Sequence, residues 1–194
     1  MALAVNFAQR LFSRHEFQHM VESGLFASER VELLEGMVVS MSPQNTPHAT
    51  TVNRLNYQFM RLCGAEVYIR VQSPVTLDEF NQPEPDLVLC AVDPLDYAEG
   101  HPRPEQIFLV VEIADTSLAQ DRRFKARLYA RTGIARYWLV DLVHRRVEVM
   151  TEPDMLAGQY RRVRIFKERQ TIELPWGQHL AVVDMLPAKI RTVK

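Results

Sequence analysis

The chain is short of the residues that cross-link or loosen a small scaffold: its 194 positions include two cysteines and seven glycines. Cys63 and Cys90 lie far apart among apolar neighbours, so they read as core thiols rather than a disulfide, which fits a reducing compartment. No apolar run approaches the roughly 20 residues that a spanning helix needs. The opening, MALAVNFAQRLF, lacks a basic n-region and a long apolar h-region, which argues against a secretory signal. A cytoplasmic location is the expectation. Also missing are C-x-x-C pairs, G-x-S-x-G and a P-loop, so serine-hydrolase and nucleoside-triphosphatase chemistry have no anchor.

What is present suits one substantial core. Hydrophobic residues make up 47% and charged residues 24%, ordinary proportions for a globular protein, and a single domain over 1–194 is expected. No repeat, linker or low-complexity tract divides it. The net charge of −1 hides an asymmetry: residues 72–119 carry −9 and residues 120–170 carry +7. Two readings stay open, solvated faces or an acidic cation site beside a basic surface for a polyanion.

Periodicity predicts an α/β (α+β) domain with a mixed sheet. SRHEFQHMVESG reads as a helix with a Ser13/Glu16 capping box, a Phe17, Met20, Val21 stripe and Gly24 at its end. RVELLEGMVVSM reads as two short strands around a Glu35-Gly36 turn. Thr46 is expected to cap a second helix with Pro47 at its first position, burying Val52, Leu55, Phe59 and Leu62. EVYIRVQSPVTL looks like strand, bend, strand, and FNQPEP a loop into the strand DLVLCAV. Residues 93–106 read as a surface loop, IFLVVEI as a strand, and Leu118 to Thr132 as a helix closed by Gly133. RYWLVDL and RRVEVM pair around a turn near His144, followed by the short strands YRRVRIF, QTIEL and HLAVV.

DLVLC and IFLVVEI are continuous apolar runs, as central strands covered on both faces should be. Each carries one acid, Asp86 at its start and Glu112 near its end. Alternation puts Asp86, Val88 and Cys90 on one face, and Phe108, Val110 and Glu112 on one face of the other strand. In neighbouring strands the two carboxylates can share a site, and carboxylates that close repel unless a proton or a cation joins them. A hard divalent ion such as Mg²⁺ is the natural partner. Against this stands a plainer reading: a turn Asp, and a Glu in a buried salt bridge. Ser117 and Gln120 have capping-box spacing, so the next helix starts just past the strand. Asp121, Lys125 and Tyr129 fall on one stripe beside Phe124 and Leu128. Lys125 either swings back to the strand end or pairs with Asp121 on the surface.

The order EPDLVL, FLVVEIADTS, DRRFKARLYARTGIARYWLVD, after an opening RVELLEGMVVSMSP with His48 soon behind, resembles the Uma family of restriction endonucleases, over about Phe12 to Leu186. That family is similar to the PD-(D/E)XK nucleases. The resemblance implies a restriction endonuclease-like core with a central mixed sheet flanked by helices, an N-terminal helix and extra C-terminal strands. It implies an endonuclease that hydrolyses DNA with Mg²⁺ or Mn²⁺. Asp86 and Glu112 match the two acidic positions and would hold the metal, with the main-chain carbonyl of Ile113. The motif lysine is absent, because Ala114 stands in its place, and Lys125 in the following helix matches the position from which related families supply it. Glu32 matches a further acidic residue and His48 a recurring histidine; their plain alternatives are an exposed strand position and a helix-terminal surface residue. Arg122 to Arg169 would hold flanking phosphates. A homodimer is expected from the superfamily. The competing expectations are a non-catalytic nucleic-acid-binding or interaction module that keeps the fold, and a phosphodiesterase acting on something other than DNA.

Overall fold

The computed structural model describes residues 9–115 and 117–189; the first eight residues of the MALAVNFAQRLF opening lie outside them. Helix α1 (Arg14–Glu22) opens with the expected capping box between Ser13 and Glu16, which satisfies amide groups that the first turn leaves free. Phe17 is its buried anchor, whereas Val21 stays exposed. Strands β1 (Val31–Leu34) and β2 (Met37–Ser40) form a hairpin. Its two turn residues, Glu35 and Gly36, both have positive φ (47° and 75°), the backbone of the tightest hairpin turns. A Cβ at Gly36 would meet Leu11 at 2.7 Å.

Helix α2 (Thr46–Leu62) is capped one residue earlier than expected: the Asn45 side chain accepts from the His48 amide. Asparagine outranks threonine at this position, and Pro47 follows inside the first turn, where its missing N–H costs nothing. Thr51, Val52, Leu55 and Phe59 form the buried face, with Leu62 partly covered.

The main sheet has six strands in the order β3-β4-β5-β6-β7-β8: β3 (Val67–Val71), β4 (Leu87–Ala91), β5 (Ile107–Ala114), β6 (Arg136–Asp141), β7 (Arg146–Asp154) and β8 (Gln159–Lys167). Every neighbouring pair is antiparallel except β5 and β6. A parallel pair needs a crossover, and residues 118–131 supply it as α3 (Leu118–Gln120), a π-helical turn (Asp121–Lys125) and α4 (Ala126–Arg131). A second hairpin, β9 (Thr171–Glu173) with β10 (His179–Ala181), and the short helix α5 (Val182–Met185) complete the chain.

Both faces of the sheet are covered. On one, Val88, Cys90, Val110, Tyr137 and Leu139 pack against Leu34 and the α4 residues Leu128, Tyr129 and Ala130. On the other, Leu87, Leu89, Leu109, Val111 and Trp138 pack against α2, α5 and the β9–β10 hairpin. Each fully buried large side chain contributes roughly 1.5–3 kcal/mol by leaving water. This double cover explains why β4 and β5 are unbroken apolar runs.

Four local expectations give way. The segment after β3 is not a strand: Gln72 turns the chain with φ 46°, and Val75 and Leu77 are buried while their amides donate to Pro83 and Asn81. Phe108 leaves the face of Val110 and Glu112, because the β4–β5 register slips between Leu89 and Cys90, and its ring meets Trp176 beside the second core. A bulge breaks strict alternation. The Ser117/Gln120 capping box does not form; the Ser117 hydroxyl donates to Asp121 instead. Val182 and Val183 belong to a helical turn rather than to the strand HLAVV.

Candidate active site

The β4–β5 ladder ends at Leu87 opposite Val111, so one step further Asp86 falls opposite Glu112 where the strands part. That end of the sheet opens into a cleft of about 170 Å³ lined by Glu32, His48, Asp86, Glu112, Asp121 and Lys125. Alternation from the apolar run fixes both acids on the face that α4 covers. The β1–β2 hairpin brings Glu32 to the same place, where it is 4% exposed rather than an open strand position.

Lys125 is 6% exposed, and the surface pair with Asp121 is replaced by a buried cluster. Its Nζ lies 3.0 Å from Glu112 Oε1 and 3.4 Å from Glu32 Oε2. Tyr129, one turn on, donates its hydroxyl to the same Glu112 oxygen at 2.7 Å. The π turn widens the helix across Asp121 to Lys125, and both residues end up buried in the site. Asp86 is held from three sides: Oδ2 accepts the Ile113 amide at 2.8 Å and lies 3.1 Å from His48 Nε2, while Gln72 Nε2 donates to Oδ1 at 3.4 Å. His48 is thus a partner of Asp86, with its Nδ1 buried and unbonded among the described residues. Glu32 also accepts the Glu84 amide at 3.2 Å.

Three carboxylates, Glu112, Glu32 and Asp121, therefore share one ammonium with Asp86 close by, and the cluster holds more acids than lysines. Burial pushes the Glu112 carboxyl up to about 8; Lys125 opposes the shift, and Asp86, Asp121 and Glu32 add to it. Burial likewise raises Asp121. For Lys125, burial disfavours the charge, but Glu112, Glu32 and Asp121 outweigh it and hold the ammonium above its usual range. Lys125 is a fixed cation rather than a base.

The divalent ion that the resemblance implies has a chemically suitable home. Among the described residues no three His, Cys, Asp or Glu side chains are already gathered as ligands. Mg²⁺ does not require that, since it keeps several waters and takes one or two carboxylates. The donors are all oxygen, and the excess negative charge is what a cation would relieve. The Ile113 carbonyl also qualifies. The Ile113 amide points to Asp86, and the next carbonyl, that of Ala114, accepts from Leu142 on the β6 side. Alternation turns the Ile113 carbonyl back towards β4.

Sequence reasoning named Asp86, Glu112, Lys125, Glu32 and Ile113, and the fold brings them together. It placed Tyr129 and Asp121 on the right helical stripe without assigning them to the site; the i, i+4, i+8 spacing from Asp121 was the available signal. Gln72 gave none, because its reach depends on the turn after β3.

No helix is long and apolar enough to cross a membrane among the described residues. A family model described as "Uma2: Putative restriction endonuclease" matches residues 15–183. A crystal structure from Anabaena variabilis, titled as a putative nuclease belonging to DUF820, superposes with a TM-score of 0.68 at 15% identity, covering 90% of this chain and 97% of that one. It shares the fold. No curated protein matches significantly. The family match starts in α1, takes in every strand and ends in α5, and by it the chain belongs to the Uma2 family of restriction endonuclease-like proteins.

Proposed function

We propose that the protein is a metal-dependent endonuclease that hydrolyses DNA phosphodiester bonds, with Asp86, Glu112 and the Ile113 carbonyl holding Mg²⁺ or Mn²⁺. One observation carries this reading: Lys125 reaches Glu112 from the helix after β5, filling the gap left by Ala114. Bound there, the metal would supply a water of lowered pKa and polarise a phosphoryl oxygen. Lys125 contributes a permanent positive charge to the phosphate as negative charge builds in the transition state. Its raised pKa suits that role and not proton abstraction. Tyr129 and Glu32 fix the ammonium and the Glu112 carboxylate, so little reorganisation is left for the reaction step. His48 and Gln72 hold Asp86 in the same way.

Asp86→Asn and Glu112→Gln are each expected to abolish Mn²⁺ binding in calorimetric titration, with little loss of fold stability. Unchanged binding in both variants would sink the site. Plasmid nicking with Mg²⁺ should fall by about a hundredfold or more in Lys125→Ala. The alternative, a non-catalytic nucleic-acid-binding module, draws on the fact that Glu112 Oε1 and Asp86 Oδ2 each already have two protein partners. Metal binding without nicking under any condition would favour that module.

A further inference from the structure

The basic stretch of the sequence divides in two once folded. Much of it is neutralised internally: Arg122 pairs with Glu148, Arg146 with Asp141 and Glu148, Arg145 with Glu168 and Arg161 with Asp154. Arg136 and Arg164 differ, forming no ion pair among the described residues. Arg162 has one exposed partner, Glu152 at 3.6 Å, an arrangement that contributes little.

These three arginines share a groove. The ladders align Arg136 with Thr151 and Arg162, and Trp138 with Val149 and Arg164. One cross-strand step is about 4.8 Å and two residues along a strand about 6.7 Å, so the guanidinium groups stand along a path rather than at a point. Arg164 lies over the Phe166 ring at 5.0 Å. The β9–β10 side closes the groove with Ile172, Leu174 and Pro175, and Glu173 is the acid on its lining. Its volume is about 310 Å³.

Its position decides what it can do. Trp138 belongs to the core on the face opposite Asp86 and Glu112, and Arg136 begins β6 whereas Glu112 lies near the end of the parallel β5. The groove is therefore on the other face of the sheet from the cleft, running from the level of Trp138 and Arg164 towards the start of β6. We infer that this groove is a second contact surface, for the phosphate backbone of nucleic acid lying outside the catalytic cleft. Arginines without carboxylate partners on an open surface are the groups that gain most from phosphate. The inference rests on the nucleic-acid reading above, but not on catalysis.

The test uses a fluorescein-labelled 30-base-pair duplex and anisotropy over a salt series. Arg136→Ala/Arg164→Ala is expected to weaken binding about tenfold and to make the log–log salt dependence shallower by about 1.8, the value for two lost phosphate contacts. The double lysine variant should restore most of the slope, which a misfolded protein would not. Wild-type affinity and slope in the double alanine variant would overturn the groove, even if plasmid nicking is intact. Polyglutamate competing as well as DNA would overturn the nucleic-acid assignment. Arginine-dependent duplex binding without cleavage would leave the groove standing and remove the nuclease reading.

Discussion

Glu112 and Asp141 are buried carboxylates near the ends of adjacent parallel strands, 4% and 0% exposed, yet their surroundings do opposite things to them. Asp141 accepts from the His144 amide, the His144 ring and Arg146; burial works against its charge, but these donors outweigh it and its pKa falls. Glu112 has Lys125 and Tyr129, but burial and the three carboxylates Asp86, Asp121 and Glu32 act against its charge, and its pKa rises to about 8. Burial is common to both. What differs is the balance of donors to acids. The balanced site is the structural one, tying the β6–β7 turn together. The unbalanced site opens on a cleft, the setting in which perturbed carboxylates mark functional sites.

The largest blow to this contrast should come from Lys125→Met, which leaves Glu112, Glu32 and Asp121 without their shared cation. Breaking a buried pair costs about 3–5 kcal/mol, measurable by urea unfolding of the metal-free protein, and nicking should vanish with it. A variant as stable as the wild type would show that the carboxylates do not depend on the ammonium. Asp141→Asn removes a well-satisfied acceptor and should cost about 1–3 kcal/mol, with Mn²⁺ affinity unchanged in titration.

The two acids also predict opposite pH behaviour. Between the unfolded carboxylate range and about 8, folded Glu112 keeps a proton that the unfolded chain has lost. The folded state then binds more protons, so metal-free stability falls as pH rises through that window, by at most about 1.4 kcal/mol per pH unit, and levels off above it. Glu112→Gln should flatten this slope in urea titrations at several pH values; an unchanged slope would place the retained proton elsewhere. For Asp141 the sign reverses: its contribution is present above the unfolded carboxylate pKa and is lost as pH falls through its depressed folded value. The smallest effect belongs to Arg131→Ala, which breaks an exposed pair with Glu35 at 3.3 Å and should change stability by tenths of a kcal/mol. A loss above 1 kcal/mol would mean that the β1–β2 hairpin depends on that pair.

Much of the fold was legible because burial writes itself into pattern. The double cover of β4 and β5 appears as uninterrupted apolar runs, and an acid inside such a run marks a site. The capping box of α1 and the Glu35-Gly36 turn are local chemistry, and both formed. Phe108 was misplaced because a bulge depends on how two strands meet. The Ser117 cap failed because its backbone is already helical (φ −85°, ψ 0°), whereas an N-cap residue is extended so that its oxygen can accept from the first turn. The strand expected after β3 was lost at Gln72, whose left-handed backbone lets its side chain reach Asp86.

By itself, then, the sequence determined the α/β class, the two central strands, the acids Asp86 and Glu112 and the stripe carrying Lys125, since these follow from periodicity and composition within short segments. Tertiary structure decided that Lys125 and Tyr129 converge on a single Glu112 oxygen, that Glu32 and His48 join the cleft, and that the basic stretch separates into paired arginines and an open groove on the far face. Those outcomes depend on which strands are neighbours and on a π turn that re-aims a helix. Distances between segments far apart in the chain are set by packing, which no local pattern encodes.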